Sequence, residues 1–132
     1  MSATHEEIYA SIGYLLYSIA ASDKHVAPAE AEQLKREVRQ QWLPLEDSRD
    51  DLGVDAAHYV GFGFDHAVSE GMPAEAAFSR FKEQFMAAPG SYDDGVRRLI
   101  RSSSAAIAGA TAGRNKSELV QLARVEELLA RH

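Results

Sequence analysis

Apolar residues recur at spacings of three and four along the whole chain. They form one stripe in each of several segments: Ile8, Ile12, Leu15 and Ile19; Leu34 and Val38; Ala57, Val60, Phe64 and Val68. The same spacing continues with Phe78, Phe81 and Phe85, then Val96, Ile100 and Ile107, then Leu119, Leu122 and Leu129. A period near 3.6 places such positions on one face of an α-helix, and no segment offers the strict alternation of a half-buried strand. The pattern predicts an all-α protein, a compact bundle of six to seven mostly short helices joined by short loops, in a single domain over residues 1–132.

Start and stop signals agree with the stripes. "THEE" and "SYDD" each place an acid three residues after a hydroxyl-bearing cap, "NKSE" does so from Asn115, and Asp55 can cap "AAHYVGFGF". Pro28 and Pro73 suit first helical positions, whereas "WLPLEDSRDDLG", "EGMP" and "APGS" read as breaks. The paired glycines of "GFGF" at 61–64 follow no strand and precede no Lys-Ser/Thr, so they are not a phosphate loop. Inside a helix they predict close approach by another helix.

Composition narrows the function classes. With 132 residues the chain can bury roughly two thirds of its unfolded surface around one core. It has no cysteine, so neither disulfides nor thiolate metal sites are available, which fits a reducing cytoplasm. The N-terminus carries acids where a signal peptide has Lys or Arg, and the run "IGYLLYSIAA" is far short of a membrane span, so no transmembrane segment is expected. A net charge of −6, with basic residues scattered among acids, argues against nucleic-acid binding and for cations or basic protein partners.

An internal repeat carries the candidate chemistry. Shifted by 88 residues, "IAASDKHVAPAEAEQL" (19–34) lies over "IAGATAGRNKSELVQL" (107–122) without a gap, with identities at Ile19/Ile107, Ala20/Ala108, Glu30/Glu118, Gln33/Gln121 and Leu34/Leu122. Each copy is the end of an apolar helix, a tight polar loop and an amphipathic helix with Glu in its first turn. The repeat predicts two hairpins related by a pseudo-two-fold axis. Asp23 stands out because an acid at the exit of a helix opposes the partial negative charge of that end.

These residues resemble the TerB-like family, named for a tellurite-resistance protein, whose signature is an apolar helix running into A-x-x-D-G-x-(V/I)-(S/A)-x-x-E. "AASDKHVAPAE" matches it at Ala20, Asp23, Val26, Ala27 and Glu30, and "AGATAGRNKSE" matches more loosely at Ala108 and Glu118. The resemblance implies an all-helical pseudo-two-fold fold and an acidic, cation-binding loop site, in proteins linked to stress response and membrane-associated complexes. It implies no enzymatic activity. Carried over residue by residue, the metal ligands are Asp23, Glu30 and Glu118, with a weakly held divalent cation, calcium or magnesium, as the cofactor. Lys24 stands where the family has Gly, and Thr111 where the second loop has Asp. Both changes weaken a site that needs six to eight oxygen ligands.

Other candidates have plainer readings. Glu30 and Glu118 each fall in a first helical turn, where the dipole and capping favour glutamate without any ligand. His25 lies in the same loop as Asp23 and has the chemistry of a zinc or nickel ligand, but a single exposed loop histidine usually does nothing. The spacing of four puts His66 and Glu70 on one face, but no Glu-x-x-His motif accompanies them, so with His58 and Asp65 they read as solvated or core-edge residues. "EDSRDD" lacks the calcium-loop frame and reads as a solvated acidic linker. "SSS" at 102–104 has neither a nucleophile-elbow motif nor a histidine partner. Tyr9, Tyr14, Tyr17 and Trp42 read as core or edge aromatics that form an exposed patch only if the first helix is partly open. The sequence thus points to a non-catalytic module of the bacterial cytoplasm that binds a cation weakly or recognises a protein partner through its acidic loops. The alternatives are a structural interaction domain with a degenerate metal site and, third, a metal-dependent hydrolase using His58, His66 and Glu70.

Overall fold

The computed structural model describes residues 4–22, 26, 28–42, 56–110 and 116–132; side chains at 28, 30, 37–39, 41, 42, 56, 57, 110 and 116–118 lie outside that description. The described residues form six α-helices and no strand: α1 (His5–Ala20), α2 (Pro28–Trp42), α3 (Ala56–Glu70), α4 (Ala74–Ala87), α5 (Asp94–Ala110) and α6 (Lys116–Arg131). A 3₁₀ turn, Pro89–Ser91, joins α4 to α5. None of these helices is long and apolar enough to cross a membrane.

The first helix is the axis of the bundle. Apart from Tyr14, whose ring is half-buried, every residue from Ser11 to Ala20 is buried, including the serines, because α1 packs against α3, α4, α5 and α6. A helix enclosed in this way must be small or apolar all round, as "IGYLLYSIAA" is. Ile12, Leu15, Leu16 and Ile19 are fully buried, and Phe64, Phe81, Phe85, Ile100 and Ile107 meet them from the surrounding helices. The expected stripes of α1, α4 and α5 are therefore core, as are Val60 and Phe64 of α3, with Val68 half-buried beside them.

The α1–α3 contact is backbone against backbone. A Cβ added at Gly13 would collide with the Val60 carbonyl oxygen and lie 2.7 Å from the Phe64 nitrogen. One added at Gly63 would collide with the Ala10 carbonyl oxygen and sit 3.1 Å from that carbonyl's carbon. The close approach expected of the "GFGF" glycines is made by Gly63.

Local signals fix most of the helix ends. Thr4 and Glu7 form the expected capping box, with Glu7 N donating to Thr4 Oγ1 at 3.1 Å and Thr4 N to Glu7 Oε1 at 3.0 Å. These bonds hold the Glu7 carboxyl below its usual range. "EGMP" ends α3 in a Schellman turn: Gly71 adopts φ +57°, its N–H donates to Val68 O, and Met72 N–H donates to Ala67 O. Two expected caps shift. Pro73 is the residue before α4 rather than its first helical position. The cap of α5 is Asp93, whose Oδ1 accepts from Val96 N at 2.9 Å, because Ser91 is taken into the 3₁₀ turn. The Asp55 and Asn115 caps lie outside the described residues.

A single guanidinium closes the far end of the bundle. Arg97 donates from Nε to Tyr92 O at 2.7 Å and from Nη2 to Pro89 O at 2.9 Å. It also reaches the carbonyls ending α6, Leu129 O at 3.3 Å and His132 O at 3.2 Å. Beside it Tyr92 is buried, with its hydroxyl 2.7 Å from Ser11 Oγ on α1. Ser11 gives its one proton to Ile8 O at 2.6 Å, so Tyr92 is the donor. Burial pushes the Tyr92 phenol up to about 12.

The sixth helix departs from its expected stripe. Leu129 is buried and Leu122 half-buried, but Leu119 is 48% exposed. The buried positions are Gln121, Val125, Leu128 and Leu129. At about 100° per residue their centre lies roughly 135° around the helix from Leu119. The offset of 88 residues consequently maps like onto like in the first helices, where Ile19/Ile107 and Ala20/Ala108 are all buried, but not in the second. There buried Ala31 is matched with exposed Leu119, and exposed Gln33 with buried Gln121.

Candidate functional site

The loop that carries the sequence motif leaves the core at one well-defined end. Ala21 is buried and donates its N–H to Tyr17 O at 2.8 Å, Ser22 N–H reaches Ile19 O at 3.3 Å, and Val26 is buried again. Asp23, Lys24 and His25 lie outside the described residues, as does Thr111. Glu30 and Glu118 lie in the first turns of α2 and α6, with their side chains outside the description.

Two observations bear on this end of α1. Its last turn contains no basic residue, and that turn is enclosed by protein, so the partial negative charge of its carbonyls is less screened than at a surface helix. Ser22 Oγ, at the threshold of the loop, is a buried atom with no hydrogen-bond partner among the described residues. A buried hydroxyl left unpaired costs roughly 1–3 kcal/mol, so a group that completes its coordination has something to gain there. An oxygen donor next to Asp23 suits a hard cation. The motif did not single out Ser22; its burial at the helix exit did.

The α3 histidines are committed elsewhere. The Tyr14 hydroxyl and His66 Nδ1 are 2.6 Å apart, and His66 Nε2 faces Glu70 Oε1 at 3.5 Å. A proton on Nε2, toward the carboxylate, leaves Nδ1 to accept from Tyr14. The Arg80 guanidinium lies 4.3 Å above the Tyr14 ring. His58 is eight residues away on the same helix, about 12 Å along the axis, and packs edge-on against Phe62 and Tyr59. Among the described residues no group of three or more His, Asp or Glu is placed to hold a metal ion. Nor is there an exposed tyrosine patch: Tyr9 and Tyr17 are buried, Tyr17 donates to Met72 O at 2.7 Å, and Tyr14 is half-covered beneath Arg80. The Trp42 side chain lies outside the description.

A recess between α2 and α3 is the feature that no motif announced. It encloses about 260 Å³ over a floor of Leu16, Val60 and Phe64. One rim is an ion-pair cluster in which Lys35 Nζ reaches Asp65 Oδ1 at 2.7 Å, Asp65 Oδ2 at 2.9 Å and Glu32 Oε1 at 2.9 Å. Burial pulls the Lys35 ammonium down, but the two carboxylates outweigh it and leave its pKa raised. The other rim carries Arg36, His58 and Phe62, whose ring is 65% exposed.

Comparison of the chain with protein-family models, with curated proteins and with solved structures finds no match. The TerB-like resemblance rests on the loop residues alone.

Proposed function

We propose that the protein is a non-catalytic helical binding module that attracts a divalent cation weakly, or a cationic segment of a protein partner, at the loop between α1 and α2. Asp23 and Glu30 supply charge from this loop, and Glu118 from the equivalent place in the second hairpin. The observation that carries this reading is the buried Ser22 hydroxyl, which has no partner among the described residues, at an enclosed helix end whose last turn lacks a basic residue. The helix end favours a positive charge, the Ser22 hydroxyl offers an oxygen, and Asp23 follows it in the sequence, ahead of Lys24 and His25. A cytoplasmic, TerB-like role in stress response is the context in which the loop motif places this module.

Thermal unfolding with and without millimolar calcium or magnesium tests the reading. The wild type gains stability as RT ln(1 + [L]/Kd) requires, and Asp23→Asn gains less. Identical unfolding curves for the two proteins in both conditions would remove the cation. The second reading, a structural interaction domain with a degenerate site, is favoured by Leu119 and Val120. These sit side by side, about half exposed, in the residues immediately after Glu118. It is the reading left standing if divalent ions do nothing.

A further inference from the structure

We infer that the recess between α2 and α3 is a binding site for a small aromatic carboxylate, separate from the acidic loop and independent of whether that loop holds a cation. Gly61 on α3 has no packing reason, among the described residues, to be a glycine. Glycine in a helix interior is destabilising relative to alanine because it surrenders more backbone freedom on folding. Gly13 and Gly63 answer this with a backbone collision that any Cβ would cause. Gly61 has no such answer: its φ is negative, and an added Cβ would meet only the Lys35 side chain, at an ordinary 3.9 Å. What the missing side chain does is keep the recess open, since Gly61 lies on its wall between the apolar floor and the charged rim.

The neighbouring residue deepens the case. Phe62 holds a ring 65% exposed at the mouth of this recess, in edge-to-face contact with His58 at 5.9 Å. His58 and Phe62, lining the recess together with Phe64, offer aromatic faces and edges to a planar ligand, and a volume of about 260 Å³ suits one ring with a short substituent. The charged groups then set the sign. Both carboxylates on the rim turn toward Lys35, which spends its donors on them. Arg36 is close enough to lower the Glu32 carboxyl, yet among the described residues no carboxylate stands within ion-pair distance of its guanidinium. A planar fork of donors beside an apolar slot is matched by a carboxylate attached to an arene.

Phenylacetate is the probe, with benzyl alcohol and benzylamine as neutral and cationic counterparts. Titrated into the full chain and followed by amide chemical shifts, phenylacetate is expected to give saturable shifts at Lys35, Gly61 and Phe62. Arg36→Gln should weaken it at least tenfold while leaving the weaker binding of benzyl alcohol unchanged, and Gly61→Leu should abolish both. Circular dichroism establishes that each variant is folded, and Gly61→Ala, which fits without collision, serves in place of Gly61→Leu with a partial loss. Absence of saturable shifts overturns the proposal. So does benzylamine binding as tightly as phenylacetate, or a folded Gly61→Leu protein that binds phenylacetate like the wild type.

Discussion

The two long sides of α3 are built on opposite rules. Toward α1, Gly63 faces Ala10 and Gly13 faces Val60, so the two backbones touch and no side chain comes between them. Toward α2, a Cβ at Gly61 would meet only the Lys35 side chain at an ordinary 3.9 Å among the described residues, and the helices are bridged by Lys35 and Asp65 beside the recess. Two glycines two residues apart thus do different things: one permits contact and the other preserves a gap. A glycine in a helix identifies neither role until its neighbours are known.

The largest effect is expected where that contact is tightest. Gly63→Ala drives a methyl into the Ala10 carbonyl, and because the obstacle is backbone on a central helix, the cost should exceed the roughly 1–3 kcal/mol of ordinary overpacking. Urea denaturation measures it, and a loss below about 1 kcal/mol would mean that the helices can separate freely. Next comes Leu34→Ala on α2, which removes a buried side chain and should cost about 2–3 kcal/mol. Leu122→Ala, at the aligned position in α6, should cost no more than half of that, because Leu122 is only half-buried. Equal losses at the two sites would restore the in-register symmetry that the exposure of Leu119 argues against.

The polar counterpart of the α1 contact is the Tyr92–Ser11 hydrogen bond, and it is sensitive to alkali. The folded-state phenol sits at about 12 against an ordinary 10.0, so folding favours the protonated form. The stabilisation this reflects is complete below pH 10 and is lost as pH rises toward 12. Tyr92→Phe should cost about 1 kcal/mol at neutral pH and remove that part of the alkaline decline, as read from unfolding midpoints between pH 9 and 12. The smallest effect has the opposite sign. Gly61→Ala should stabilise the protein, by up to about 1 kcal/mol, since it improves helix propensity without a clash. Destabilisation there would mean that the open side of α3 is as tightly packed as the closed one.

Much of this molecule was written locally. The Thr4–Glu7 capping box and the Gly71 turn join residues within five of one another, and the stripes of α1, α3, α4 and α5 advance in steps of three, four or seven residues, so periodicity and capping chemistry were sufficient to place them. The α5 cap moved by two residues because Ser91 found a 3₁₀ turn instead, a competition that the string "SYDD" does not reveal. Leu119 was misread for a related reason. Its spacing to Leu122 and Leu129 is helical, but a stripe becomes core only where another helix covers it, and α6 is covered on the side of Gln121 and Val125.

The candidate sites divide the same way. Asp23, Glu30 and Glu118 could be named from a short motif because chain neighbours define a loop and a first helical turn. Ser22 acquired its meaning from burial at the exit of α1, and the recess exists only because Lys35, Arg36, His58, Gly61 and Phe62 are brought together from two helices. Propensity and period were enough to read the described segments as helical, to start α1 after Thr4 and α2 at Pro28, and to find the apolar face of each. The tertiary structure alone decided which glycine is a contact and which a gap, which leucine is covered, and which charges are already paired. Each of these depends on what lies across the space between helices, and sequence distance does not encode that separation.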